Sequence, residues 1–224
     1  MVKIFITGAT GYIGGDALHA LYNAHPEYTY TALVRTPEKG RSVTSAYPNV
    51  HVVLGDNDSS DLLRTESAAA DIVLHTADAS DHEGAARAIA EGLAEGYDKR
   101  GAKPGYWLHT GGTGILTYFD SRDGRSGQPS GKIFDDWDGV DELVNLPSEA
   151  FHRNVDEIVL DAGTGETRAQ RVKTAIVCPP TIYGEGRGPS LTRGRQVYEL
   201  AKTTLQIRRG PIVGEGKAVW NNVH

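Results

Sequence analysis

The sequence predicts an α/β protein with a doubly wound parallel sheet and helices on both faces. Three observations carry this. Short runs rich in β-branched and aromatic residues alternate with segments whose apolar residues recur at helical spacing. The first run ends directly in glycines three apart, Gly8, Gly11 and Gly14, and a helical pattern follows. The loops rich in small residues come after strands, at the sheet edge where such folds take their ligands.

Val2 to Ile6 reads as the first, buried strand, and Asp16 to Ala24 carries Ala17, Leu18, Leu21 and Tyr22 on one helical face. The glycine turn between them suits a diphosphate, which needs backbone N–H donors and the positive end of a helix. Gly8 allows the tight turn, Gly11 lets the backbone approach the pyrophosphate, and Gly14 lets helix and strand pack closely. Thr10, Tyr12 and Ile13 complete this edge of a cofactor groove. The order is that of a Rossmann dinucleotide fingerprint.

Tyr28 to Val34 is a second strand, ending at Arg35 about 20 residues past the glycines, where the adenine ribose arrives. A carboxylate there grips the 2′-hydroxyl of NAD; Arg35, with Lys39 nearby, suits the 2′-phosphate of NADP instead. The expected cofactor is therefore NADP, with NAD the alternative. Val50 to Leu54 is a third strand, closed by Gly55-Asp56-Asn57, and Asp56 is placed at the adenine edge. Ser59 to Ala70 is a short helix, and Ala69 to His75 a fourth strand running into Thr76, Ala77 and Ala79, whose small side chains let the cofactor lie close. A helix over Asp81 to Lys99, with Asp81 as its cap, precedes a fifth strand, Tyr106 to Thr110.

Phe119 to Asp141 is polar and glycine-rich, a long irregular loop. Pro147-Ser148-Glu149 opens a helix with Phe151, Val155, Ile158, Val159 and Leu160 as its apolar stripe. Val172 to Cys178 is the sixth strand, stopped by Pro179-Pro180, and Leu191 to Ile207 is a helix. His109 and His152 lie on or near the ligand edge and read as structural.

These residues resemble a family. Thr7-Gly8-Ala9-Thr10-Gly11-Tyr12-Ile13-Gly14 is similar to the entry motif of the extended short-chain dehydrogenases, which include nucleotide-sugar epimerases and dihydroflavonol-type reductases. Pro179-Pro180-Thr181-Ile182-Tyr183-Gly184 resembles that family's loop bordering the nicotinamide, and Val219 to His224 its lead into a C-terminal substrate lobe. The resemblance implies an NAD(P)-binding domain over residues 1–224, with 179–224 leading into a lobe mostly absent from this chain. It extends the cofactor groove to Thr110, Arg153, Pro179, Thr181 and Ile182. It also implies hydride transfer on a small carbonyl or hydroxyl substrate. A homodimer through the helices at 81–99 and 147–162 is a further expectation.

The family's proton relay is a Tyr, a Lys four residues on, and a Ser or Thr after the fifth strand; Tyr-x-x-x-Lys is absent here. Aligning the following helix puts Glu149 on the Tyr position, Arg153 on the Lys position and Gly112 on the Ser position, with Thr113 the nearest hydroxyl. A desolvated Glu149 serves as a base, and Tyr183 as an alternative hydroxyl donor. Losing the relay while keeping the groove describes the alternative, a dinucleotide-binding redox sensor.

Bulk properties narrow the partners. The 224 residues, 39% of them hydrophobic, suffice for one sizeable core. A net charge of −6 without a Lys/Arg block disfavours nucleic acid and anionic membranes. No apolar run approaches membrane-spanning length, and the first strand starts at once, so no signal peptide is read. The single cysteine, Cys178, excludes an internal disulfide and fits the cytoplasm. No side-chain cluster has metal-ligand spacing.

Overall fold

The computed structural model describes residues 1–224. Six parallel strands form the central sheet: β1 (Lys3–Thr7), β2 (Thr29–Val34), β3 (Val50–Leu54), β4 (Ile72–His75), β5 (Gly105–Thr110) and β6 (Val172–Val177), in the order β3-β2-β1-β4-β5-β6. The order reverses between β1 and β4, so their C-terminal tips bound the crevice where this class of sheet binds its ligand. The helices are α1 (Tyr12–Ala24), α2 (Pro37–Ala46), α3 (Ser60–Ala69), α4 (Glu83–Glu95), α5 (Tyr118–Arg122), α6 (Val140–Val144), α7 (Arg153–Thr164) and α8 (Gln196–Ile207). A short parallel pair, β7 (Thr181–Ile182) and β8 (Asn222–Val223), stands apart from the main sheet.

Two apolar cores flank the sheet. On one face Leu63 of α3, Ile89 and Leu93 of α4, and Val155 and Val159 of α7 pack on Phe5, Val73, Trp107 and Val172. On the other, Leu18 of α1 and Val43 of α2 cover Ile4, Ile6, Ala32, Val34 and Leu74. Beyond them, this second face is open along β5 and β6: Tyr106, Leu108 and Val177 are exposed, and α8 buries no side chain. The apolar faces of α4 and α7 are spent on their own sheet. Their outward groove is polar, lined by Arg87, Glu91, Asn154, Glu157, Asp161 and Arg168.

Several expected boundaries move. The helix expected from Pro147 begins at Arg153, because Pro147 to His152 is spent on a turn closed by Ala150 N–H to Pro147 O (2.9 Å). The helix expected from Asp81 begins at Glu83; its cap is His82, whose Nδ1 accepts from Ala85 N–H at 3.0 Å. Helix α2 has no counterpart in the sequence reading. Only Gly40 and Val43 are buried along it, so it has almost no apolar stripe, though Thr36 as cap and Pro37 at its first position are regular start signals. The irregular 119–141 segment overlaps α5 and α6, each a bare helical turn.

Leu93 is fully buried between α4 and the sheet. Leu93→Ala should lower unfolding stability by about 2–5 kcal/mol in urea titration, with a cooperative transition retained.

Candidate functional site

The crevice is set by a hydroxyl. Thr7 ends β1 fully buried; its Oγ1 accepts from the N–H of Thr76 (3.1 Å) and of Ala77 (3.3 Å) and shares a hydrogen bond with Nδ1 of His75 (2.8 Å). Thr76 returns the bond, its hydroxyl donating to Thr7 O at 2.7 Å. These bonds lash the tips of β1 and β4 together at the point where strand order reverses.

The glycine turn grows from this clasp. Gly8 has φ +77°, a left-handed conformation natural to glycine, and its carbonyl accepts from Gly11 N–H at 2.8 Å. A Cβ on Gly14 would run into the Thr76 hydroxyl and Gly8 O, so helix and clasp approach as closely as only glycine permits. Helix α1 starts at Tyr12 with no side chain capping it and no acidic residue in its first turn. Its first N–H groups and the positive end of its dipole are therefore left for an anion. This is the cradle a pyrophosphate needs, and the residues fit the group.

Along the edge, Arg35 is exposed at the end of β2, and the nearest carboxylate of α2, Glu38, is paired with Arg41 at 2.8 Å. Asp56 is exposed, but its Oδ1 already accepts from Asp58 N–H (3.1 Å) and the Ser59 hydroxyl (2.9 Å), forming the turn that starts α3. Asn57 donates to Ala77 O at 2.6 Å and fixes the loop after β4, where Ala79 is buried. Thr110 ends β5, half-buried.

A loop from the far end of the chain closes against this turn. Tyr12 donates its hydroxyl to Gly184 O (2.9 Å), and Leu191 N–H reaches Thr10 O (3.3 Å). Arg187 makes a two-pronged pair with Asp16, 2.8 Å from Nε and 2.7 Å from a terminal nitrogen. That guanidinium holds the Asp16 carboxyl down at about 2. Pro179, Thr181 and Ile182 lead into the same loop, with Thr181 and Ile182 paired to β8.

The expected relay residues do not assemble as expected. Glu149 sits exposed on the turn before α7, so the desolvation that would make it a base is missing. Arg153 is buried, but its guanidinium donates to Val144 O (2.7 Å) and pairs with Glu157 (3.2 Å). Thr113 donates its hydroxyl to Pro179 O at 3.0 Å, tying the β5 loop to the end of β6. The Tyr183 ring meets His224 edge-on at 5.2 Å. Meanwhile His152, read as structural, lies against Gly112 and Gly114 at the β5 tip with Nδ1 2.6 Å from the Asp81 carboxylate. No group of three or more His, Cys, Asp or Glu side chains is placed to hold a metal.

Behind the crevice is a buried polar cluster. His75 and His109 are 5.6 Å apart between ring centres, and Asp156 lies 3.9 Å from His109 Nε2, too far for a hydrogen bond. Burial dominates all three, holding His75 at about 3 and His109 at about 4, and pushing Asp156 up to about 6. It also pushes the Cys178 thiol up to about 11, leaving it a poor nucleophile.

The reversal of strand order, the glycine turn and the open start of α1 make this the crevice of a doubly wound, dinucleotide-binding type of α/β fold. Residues 8–114 match the NAD(P)H-binding family, a span running from the glycine turn to the β5 tip. An oxidase, ucsJ, of an Acremonium species is 41% identical over 224 residues, covering 99% of this chain and 62% of its own length. The chain thus spans less than two thirds of that relative. Among solved structures, a dTDP-glucose 4,6-dehydratase from Bacillus anthracis in complex with NAD has a TM-score of 0.63 at 16% identity, covering 100% of this chain and 68% of its own. Yeast methylglyoxal/isovaleraldehyde reductase Gre2, complexed with NADPH, has a TM-score of 0.56 at 16% identity, covering 83% of this chain and 57% of its own. At such identities the likeness speaks for the fold. No helix is long and apolar enough to cross a membrane.

The histidines give the protein an acid limit. Unfolded histidines take up protons near pH 6.5, while the folded chain refuses them down to about 3 and 4. Stability is therefore lost as pH falls below about 6.5. Asp156 works oppositely: its contribution is full in acid and lost as pH rises to about 6, so one carboxyl partly offsets two histidines. Thermal unfolding between pH 4 and 6.5 should show the melting temperature dropping with acidification. His109→Gln should flatten that dependence by about 1.4 kcal/mol per pH unit.

Proposed function

We propose that this chain carries the cofactor domain of an NADP(H)-dependent oxidoreductase, or epimerase-like enzyme, acting on a small carbonyl or hydroxyl substrate without the usual Tyr-x-x-x-Lys relay. The observation that carries the reading is the uncapped, acid-free start of α1 at the glycine turn, beside the reversal of strand order. Gly8, Thr10, Gly11, Tyr12 and Ile13 hold the pyrophosphate, Asp56 and Asn57 border the adenine, and Arg35 pairs with the 2′-phosphate. Thr76, Ala77, Ala79 and Thr110 line the middle of the groove, and Pro179, Thr181 and Ile182 border the nicotinamide. When bound, the reduced nicotinamide supplies hydride to a carbonyl carbon.

NADP is favoured over NAD because β2 ends in a free cation and the neighbouring Glu38 is occupied by Arg41. The alternative, a dinucleotide-binding redox sensor, draws on the engagement of Arg153 and Thr113 in backbone contacts. The cytoplasm and a homodimer complete the reading, the latter through outward surfaces, since the apolar faces of α4 and α7 are inside.

Fluorescence titration with NADPH and NADH, followed by a panel of aldehydes and ketones, tests both forms. Binding with turnover supports the enzyme, and binding without turnover, repeated on a longer chain, supports the sensor. Gly11→Val should abolish binding by placing a side chain at the diphosphate, and unchanged affinity by calorimetry would remove the groove. Arg35→Asp should weaken NADPH at least tenfold more than NADH, a difference of about 1.4 kcal/mol; equal losses would exclude the 2′-phosphate contact.

A further inference from the structure

We propose that His152, oriented by Asp81, is the group that passes a proton to and from the substrate oxygen in the reaction proposed above, on which this inference rests. Three chain segments converge to place it. Asp81 follows β4, Gly112 to Gly114 follow β5, and His152 precedes α7, all at the ligand edge of the sheet beside the strand-order reversal.

His152 occupies a left-handed backbone conformation, φ +70°, uncommon for a non-glycine residue although Asn, Asp and His adopt it more often than others. Such outliers persist where the surroundings impose them, and they collect at functional sites. Here the conformation turns the ring off the start of α7 and onto the β5 tip. Nδ1 lies 2.6 Å from Asp81 Oδ1, while Nε2 faces Gly112 and Gly114. Phe151 covers the imidazole with ring centres 3.7 Å apart, and the His152 side chain is only 9% exposed. One nitrogen is tied and the other is directed at the crevice, which is the arrangement of an oriented acid–base group.

Gly112 explains why the relay looked absent. A Cβ there would lie 2.5 Å from His152 Nε2 and 2.6 Å from Cδ2, so a serine at this position would displace the imidazole from where it lies. Glycine at the expected hydroxyl position is the room the histidine needs. Asp81 is free for the task because His82, not Asp81, caps α4. The other charged groups near the ring are Asp156 and Arg153 of α7, and Arg153 is turned to Val144 O and Glu157.

The step balances without a further reagent. As the carbonyl carbon accepts the hydride of the reduced nicotinamide, the C=O π pair moves onto oxygen, and the proton on His152 Nε2 passes to that oxygen to complete the alcohol. The neutral imidazole keeps Nδ1–H on Asp81 and regains its proton from solvent. In the oxidative direction Nε2 takes the hydroxyl proton.

The test has two readouts on the full chain. The first is nitrogen-15 NMR of the histidine side chains in mildly alkaline solution, with His152→Asn identifying the resonance; asparagine tolerates the left-handed backbone. The expected result is an Nδ1–H tautomer with bare Nε2, an Nε2 signal displaced by NADP(H), and loss of that tautomer in Asp81→Asn. An Nε2–H tautomer, or an Nε2 signal unmoved while the cofactor binds, would overturn the inference alone. Failure of the wild type to bind either dinucleotide would overturn the underlying cofactor reading and this inference with it. The second readout is turnover of any carbonyl the wild type reduces. His152→Asn should lower kcat at least about 100-fold with NADPH affinity within about twofold of wild type. Undiminished kcat would refute the assignment.

Discussion

The clasp between Thr7 and the loop after β4 is the constraint on which the rest depends. A threonine hydroxyl has one proton and two lone pairs, and Thr7 uses all three inside the protein, on His75, Thr76 and Ala77. With both lone pairs taken by the two N–H groups, the hydroxyl proton is assigned to His75 Nδ1, which puts the proton of this buried, neutral ring on Nε2, where it has no partner. The clasp places Thr76 directly under the glycine turn, and the turn then leaves no room for a side chain at Gly8 or Gly14. Strand tip, turn and helix start are one unit. An unsatisfied hydroxyl or backbone N–H in so dry a place costs about 1–3 kcal/mol, so the bonds around the Thr7 hydroxyl hold as a set.

The fold was legible because β1, β2 and β4, buried on both faces, read as continuous apolar runs, and because α1, α4 and α7 each carry a clear stripe. Reading failed where energy comes from elsewhere. Helix α2 holds its place through its cap and Val43 rather than a stripe, and α5 and α6 are single turns with nothing buried. The start of α7 was misplaced because Pro-Ser-Glu is a sound local signal for a helix. His152 is in the left-handed region, and the groups its ring meets, Asp81 and Gly112, are far off in the chain.

The site divides the same way. The glycine half is local, a dozen residues whose spacing states its geometry. The opposite half is assembled across the sheet, its central contact joining residues 71 apart. Sequence assigned Asp81 to a cap, His152 to the structural background and Gly112 to a lost serine, each reasonable alone. Only their juxtaposition gives them a shared meaning. The one available signal was a pair of departures, glycine for serine and a histidine next to the arginine at the lysine position.

The strand order has a consequence for how the chain is made. β1 leaves the ribosome first yet finishes at the centre of the sheet, paired to β2 on one side and β4 on the other. The β3-β2-β1 half has its strands within residues 3–54 and can assemble early. Until β4 emerges, the β1 edge of that half stays open, a row of unpaired backbone groups along a strongly apolar strand. Nascent or truncated chains ending before residue 72 therefore carry an adhesive edge that the finished protein hides. The Thr7 clasp closes only when Thr76 arrives, and with it the glycine turn takes its final form.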